Sequence, residues 1–359
     1  MRLFSLAVRD RGGLASEPRQ ALIGATVVCP LLPRFPGGTL FPGELRLRPA
    51  CFDRERHHAS LPLMNRKSFV TTSALAGMSI MAGSKSMAAQ PAPMREIAVF
   101  TKFLEKLSFD ELATAIAPLG VAGLEAPLRK GGHIEPDDMV EKLPLFVEAL
   151  AKKDLRVLIM SSSIDKVDKS GLAEKQLRAA AKAGIKKYRL QHLKYDLTKP
   201  IKPQVANFKV QLTDLAQLNK EIGIQGLYQN HRGKDYVGGP IWDMIGMLEE
   251  IDVTHLGMAF DFAHATVEGA NAWEMNFHSA QPHIGAVFFK DYKLIGKQWE
   301  PCPIGEGAVN PLVGKIVSQN LPKDIPIAIH IEYVNGGEVV AKTVEAMKND
   351  LATVRKWLG

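Results

Sequence analysis

The sequence predicts an α/β protein whose residues 91–359 form one domain, a (β/α)8 TIM barrel. Three observations predict it. Short apolar runs alternate with longer amphipathic ones from Arg95 to the end. The short runs are apolar almost throughout, as in strands of a parallel sheet buried on both faces. Eight such units fit in these 265 residues, which suits a closed barrel better than an open doubly wound sheet, the competing arrangement.

The strands are expected at residues 97–100, 123–126, 157–160, 188–191, 225–228, 257–261, 286–290 and 327–332. The first helix is expected over 109–117, because Ser108 precedes it and Glu111 follows three residues later, the signature of a capping box. Apolar spacing of helical period places further helices at 136–153, 171–183, 203–222, 241–251, 310–319 and 338–358.

Charge divides the chain. The net charge of +7 is concentrated at the front: residues 1–63 carry nine Arg against five acidic residues, and residues 64–90 carry Arg66, Lys67 and Lys85 with no acid. The remainder balances 33 basic against 33 acidic residues. A neutral body lacks the clustered cations that a phosphate backbone requires, so no nucleic-acid partner is expected. Residues 64–90 run from basic to apolar to small, the order of a signal peptide, and imply export to the periplasm or the outside. Arg66-Lys67-Ser68-Phe69-Val70 resembles a twin-arginine export signal with the second Arg replaced. The apolar stretch is too short and polar for a membrane span, so none is expected in the mature protein. Residues 1–63, rich in Arg and without Lys, read as a disordered or mis-assigned upstream extension. Cys302, alone among residues 91–359, excludes an internal disulfide framework there and reads as a small loop residue.

In such a barrel the functional residues stand at the C-terminal ends of the strands, and here those ends are polar. Strand two leads through Glu125 to Arg129 and Gly131-Gly132-His133; strand four ends Arg189-Leu190-Gln191-His192. Strand five gives Gln229-Asn230-His231-Arg232, and strand six Asp261-Phe262-Ala263-His264. Strand seven gives Phe288-Phe289-Lys290-Asp291, and strand eight His330-Ile331-Glu332. With the Gly305-Glu306-Gly307 loop, these motifs resemble the xylose-isomerase-like family of sugar isomerases and epimerases over residues 95–359.

That resemblance implies one divalent metal (Mn, Zn, Co or Mg) and no nucleotide cofactor. The family holds the metal with a Glu ending strand five, the Asp of the Asp-x-x-His pair, a His in strand seven and a Glu ending strand eight. Asp261 and Glu332 match; Gln229 and Phe288 stand at the other two positions. Gln offers only a neutral carbonyl oxygen and Phe offers nothing. In the family the two glutamates also move protons beside the carbonyl, so one of two bases is absent. Glu332 is then the expected base and Asp261 its charge partner. His231, His264 or Lys290 would act as acid or oxyanion stabiliser. Gln229, His133, Arg129 and Glu306 are expected to line the substrate.

Three functions follow. The first is isomerisation, epimerisation or single-base β-elimination on a small carbohydrate or keto-sugar. The second is a non-catalytic sugar-binding barrel, favoured by the two substituted positions. The third, an abasic-site endonuclease of related fold, needs a metal cluster and a basic groove, which the neutral body opposes. Self-association is compatible with a barrel of this size, but nothing specifies it.

Overall fold

The computed structural model describes residues 95–334 and 339–359. The expected extension over 1–63 and signal peptide over 64–90 lie outside the described residues. In chain order the elements are β1 (Ile97–Phe100), α1 (Phe109–Ile116), β2 (Gly123–Pro127), α2 (Met139–Ala151), β3 (Arg156–Ser161), α3 (Leu172–Lys182), β4 (Lys187–Arg189) and α4 (Ile201–Ile222). They continue with β5 (Gln225–Gln229), α5 (Trp242–Leu248), β6 (Leu256–Asp261), α6 (Phe262–Gly269), α7 (Trp273–Ala280), β7 (Ile284–Phe289), β8 (Asp291–Ile295) and β9 (Gln298–Cys302). Helix α8 (Leu312–Asn320), β10 (Ile327–Ile329) and α9 (Val339–Leu358) complete the set.

Eight parallel strands close in the order β1-β10-β7-β6-β5-β4-β3-β2, the barrel that the alternating pattern predicts. The capping box forms: Ser108 Oγ accepts from the Glu111 amide at 3.4 Å, and the Glu111 carboxylate accepts from the Ser108 amide at 2.9 Å.

Side chains alternate between the two faces of a strand. One cluster joins Ala98, Ile159, Leu227, Ala259, Ala286, Phe288 and Ala328, all buried, as the barrel's own filling. Four alanines in this layer leave room for the Phe288 ring. Two residues further along the strands the inward positions become Phe100, Glu125, Ser161, Arg189, Gln229, Asp261, Lys290 and His330, every one buried. An apolar floor therefore carries an almost wholly polar layer at the C-terminal mouth. The opposite strand faces pack on the helices, with Leu124, Met160, Tyr188, Phe260 and Phe289 in the larger core.

Four expectations need correction. The fourth strand stops at Arg189 rather than 191, because the Gln191 amide turns away to bond the Ile164 carbonyl. The eighth stops at Ile329 rather than 332, although the His330 amide still bonds Phe289. Helices α6 and α7 fill the β6–β7 connection, where no helix is expected; Asp261 caps α6 by accepting from the His264 amide at 3.1 Å. Residues 291–302 form the antiparallel β8–β9 hairpin, where no element is expected, and Cys302 ends it as a buried strand residue rather than a loop residue.

That hairpin rests on Asp291. Its carboxylate accepts from the backbone amides of Tyr292, Gly305, Gly307 and Val309 at 2.8 to 3.0 Å. Gly305 adopts φ +95, and a methyl group on Gly307 would run into the Asp291 carboxylate and the Tyr292 carbonyl. Gly307→Ala is expected to destabilise the protein by about 1–3 kcal/mol through this overlap, read as a lower midpoint in urea denaturation.

Candidate functional site

A continuous chain of polar contacts crosses the mouth of the barrel. It begins at Glu125 on β2, which is wholly buried and bonded at both oxygens. Glu125 Oε1 accepts from Arg189 Nε at 2.9 Å and from Ser161 Oγ at 2.6 Å, and Oε2 pairs with His330 Nε2 at 2.6 Å. Burial alone would raise this carboxyl, but His330 and Arg189 outweigh it and hold it down to about 2. The His330 ring sits between Phe100 and Phe288, each 4.6 Å away centre to centre.

Arg189 extends the chain to Gln229, donating from Nη1 to Oε1 at 3.0 Å. This contact orients the amide, so Gln229 Nε2 donates to Asp261 Oδ2 at 2.7 Å. Lys290, directed inward just beyond β7, places its Nζ 3.2 Å from Asp261 Oδ2 and 3.4 Å from Glu332 Oε1. Tyr292 then donates to Glu332 Oε2 at 2.9 Å.

The electrostatics follow from that arrangement. Burial opposes the Lys290 charge, yet Asp261 and Glu332 raise its pKa above the ordinary lysine value. Burial would likewise raise Glu332, but Lys290 and His330 hold it well below the carboxylate range. The Tyr292 hydroxyl is pushed up to about 12, chiefly by burial. Three imidazoles run from the end of β6, next to Lys290, to the end of β4. The His264 and His231 rings are 4.0 Å apart, His231 and His192 4.6 Å, and Tyr236 stacks on His231 at 4.5 Å. Burial, then Lys290, lowers His231 to about 4; burial and neighbouring cations hold His264 and His192 well below the ordinary imidazole value. All three are neutral at pH 7. Both His264 ring nitrogens are buried without a hydrogen-bond partner among the described residues.

The structure thus brings Asp261, Glu332, Lys290, His264, His231 and Gln229 together. Arg129 lies half-buried at the rim of the same mouth. His133 is placed differently: its Nε2 lies 2.9 Å from Thr101 Oγ1 and its ring stacks on Phe146 of α2 at 5.6 Å. Glu306 is exposed, its flanking glycines serving Asp291 instead. Lys290 and Asp291 are both buried and diverge, Asp291 facing the hairpin. Glu125, Arg189 and His330 are named from sequence only as polar strand ends and are given no role, and Ser161 and Tyr292 are not named. Glu125 and Arg189 carried a signal, because each is a charge at an inward position of an apolar strand. Tyr292 carried none without the hairpin.

A divalent cation does not fit this donor set. An ammonium fills the space between Asp261 and Glu332, Gln229 presents its NH2 to Asp261, and Phe288 belongs to the apolar floor. Among the described residues no three His, Cys, Asp or Glu side chains are grouped to hold a metal ion.

The model of the xylose isomerase-like TIM barrel matches residues 113–348, and the chain belongs to that family. Among curated proteins no sequence matches it. Solved structures show the same fold. A D-psicose 3-epimerase studied in the presence of D-fructose is 14% identical with a TM-score of 0.57, covering 74% of this chain and 99% of its own. A 3-keto-D-glucoside 4-epimerase of E. coli is 14% identical with a TM-score of 0.57, covering 73% and 99%. A probable 3-DHS dehydratase of Bacillus anthracis is 16% identical with a TM-score of 0.54, covering 72% and 98%.

The Glu125–Arg189 pair is buried, so removing one partner strands a charge. Arg189→Met is expected to cost about 3–5 kcal/mol, with part recovered in Arg189→Met/Glu125→Gln when urea unfolding is compared. Because the folded carboxyl is depressed from 4.5 to about 2, its stabilisation is present above pH 4.5 and lost as pH falls toward 2. Acid titration of the wild type should show that loss, and Glu125→Gln should flatten it.

Proposed function

We propose that this barrel binds a small carbohydrate or keto-sugar and moves a proton on the carbon beside its carbonyl, with Lys290 supplying the positive charge that stabilises the enolate. The observation carrying this reading is the position of Lys290 Nζ between Asp261 and Glu332. A permanently charged donor fixed in a buried site stabilises a developing oxyanion without reorganising at the moment of reaction. Here that electrostatic work falls to an ammonium already in place.

Glu332 is the base in this scheme. Lys290 lowers its basicity in the free protein; a carbonyl oxygen drawing on the ammonium weakens that hold as negative charge builds on the substrate. Asp261 keeps Lys290 charged and aimed. His264, neutral and with open nitrogens, exchanges a proton with the substrate oxygen or a leaving hydroxyl. Since Gln229 cannot act as a second base, single-base isomerisation or β-elimination suits the site better than two-base epimerisation. Family membership and the sugar epimerases that share this fold support the carbohydrate assignment. The neutral body supports a small-molecule partner over nucleic acid. Among the described residues no helix is long and apolar enough to cross a membrane. Export through residues 64–90 is part of this proposal, and N-terminal sequencing of the native protein should find a mature end near Gln90.

The test is solvent exchange. With a panel of ketoses, aldoses and keto-glycosides in D2O, proton NMR is expected to show loss of the α-proton signal that persists after chelator treatment. Lys290→Met should slow exchange by about 10²- to 10³-fold, and Glu332→Gln should abolish it. Exchange that stops with chelator and returns with Mn or Co would overturn the metal-free scheme. No exchange with any sugar that binds would leave a binding barrel.

A further inference from the structure

Arg129 and His192 present hydrogen-bond donors that the protein itself does not use. His192 Nε2 lies 3.4 Å from Arg189 Nη1. A guanidinium only donates, so this nitrogen accepts, and in the neutral ring the proton resides on Nδ1. His192 Nδ1 is buried and has no partner among the described residues. Arg129, in the turn after β2, likewise has neither hydrogen-bond nor ion-pair partner for its guanidinium among the described residues. Burial and then the like charge of Arg189 lower its pKa, while Glu125 acts the other way. Burial, then the charges of Arg189, His231, Lys290 and last Arg129, lower the pKa of His192. Glu125 is already shared by Arg189, Ser161 and His330, and Arg129 is not among its partners. A buried N–H donor without an acceptor is costly, a half-buried guanidinium without a protein partner is free to pair, and one negatively charged oxygen satisfies both.

Their place in the barrel matters as much. Arg129 follows β2 and His192 follows β4, so the two flank β3. In the closed strand order β3 lies diametrically across from β7, which carries Lys290 at its end. A ligand with its carbonyl at Lys290 and its far end at Arg129 spans the mouth.

We propose that Arg129 and the Nδ1–H of His192 form an anion subsite, and that the substrate is an acidic sugar whose carboxylate or phosphate docks there while its carbonyl faces Lys290. The inference rests on the carbohydrate reading above and narrows its substrate class. Charge-assisted hydrogen bonds to such a group discriminate strongly against a neutral sugar.

The experiment compares D-fructose, D-fructuronate and D-fructose 6-phosphate, which share a ketose frame and differ at C6, by calorimetric titration of the full chain. At least one acidic ketose is expected to bind about tenfold to hundredfold more tightly than D-fructose, with a preference that shrinks as salt rises. The uronate and phosphate arms tell which anion the subsite takes. Arg129→Gln should remove the preference, and Arg129→Lys should restore part of it. Equal or absent binding of both acids, or a preference unchanged in folded Arg129→Gln, would overturn the subsite. α-Proton exchange is read separately on the same samples. Acid-selective binding without exchange leaves the subsite standing and sinks the enzymatic reading, whereas exchange without acid selectivity does the reverse.

Discussion

The rest of the mouth depends on the burial of one ammonium. Lys290 is 3% exposed, and a charge so far from water persists only when it is paired and hydrogen-bonded. Asp261 and Glu332 provide that pairing, and each needs further partners of its own. Asp261 finds Gln229 and the amide of His264; Glu332 finds Tyr292. Through Gln229 the demand passes to Arg189, then to Glu125, then to His330. The chain begins and ends on residues that follow β10, so the polar layer runs round the barrel and ties most strand ends to one another.

The two departures from the family's metal positions belong to the same arrangement. A glutamate at 229 would set a second carboxylate against Asp261, whereas the amide of Gln229 can accept from Arg189 and donate to Asp261 at once. A histidine at 288 would lie in the apolar floor beneath Lys290, against the His330 ring. Phe288 keeps that floor dry, and a lower local dielectric strengthens every ion pair above it. The substitutions therefore form a coherent polar layer built around a lysine.

In the proposed function the imidazole wall connects this layer to a ligand. Burial, followed by neighbouring positive charge, keeps His264, His231 and His192 neutral, and a neutral imidazole can donate from one nitrogen and accept at the other. Hydroxyl groups of a sugar want that pairing. In the proposed scheme the unpartnered nitrogens of His264 serve the reacting oxygen and the unpartnered nitrogen of His192 serves the anion at Arg129. Binding and chemistry then draw on the same buried polar surface.

The sequence by itself determined the barrel, because its evidence is local. Apolar strands, amphipathic helices and the Ser108/Glu111 cap declare themselves within a few residues. It also located Asp261, His264, Lys290 and Glu332, since polar residues closing apolar strands stand out in any order of reading. Tertiary structure decided what these residues do to one another. That Lys290 turns inward while Asp291 turns out, that Arg189 orients Gln229, and that Glu125 meets His330 across 205 positions of sequence are consequences of closure and strand register. His133 and Glu306 carry the converse lesson, for flanking glycines mark a tight turn without saying which way its side chain faces. Local propensity acts over neighbouring residues, whereas a buried charge is settled by whichever partners the closed barrel brings within hydrogen-bonding reach.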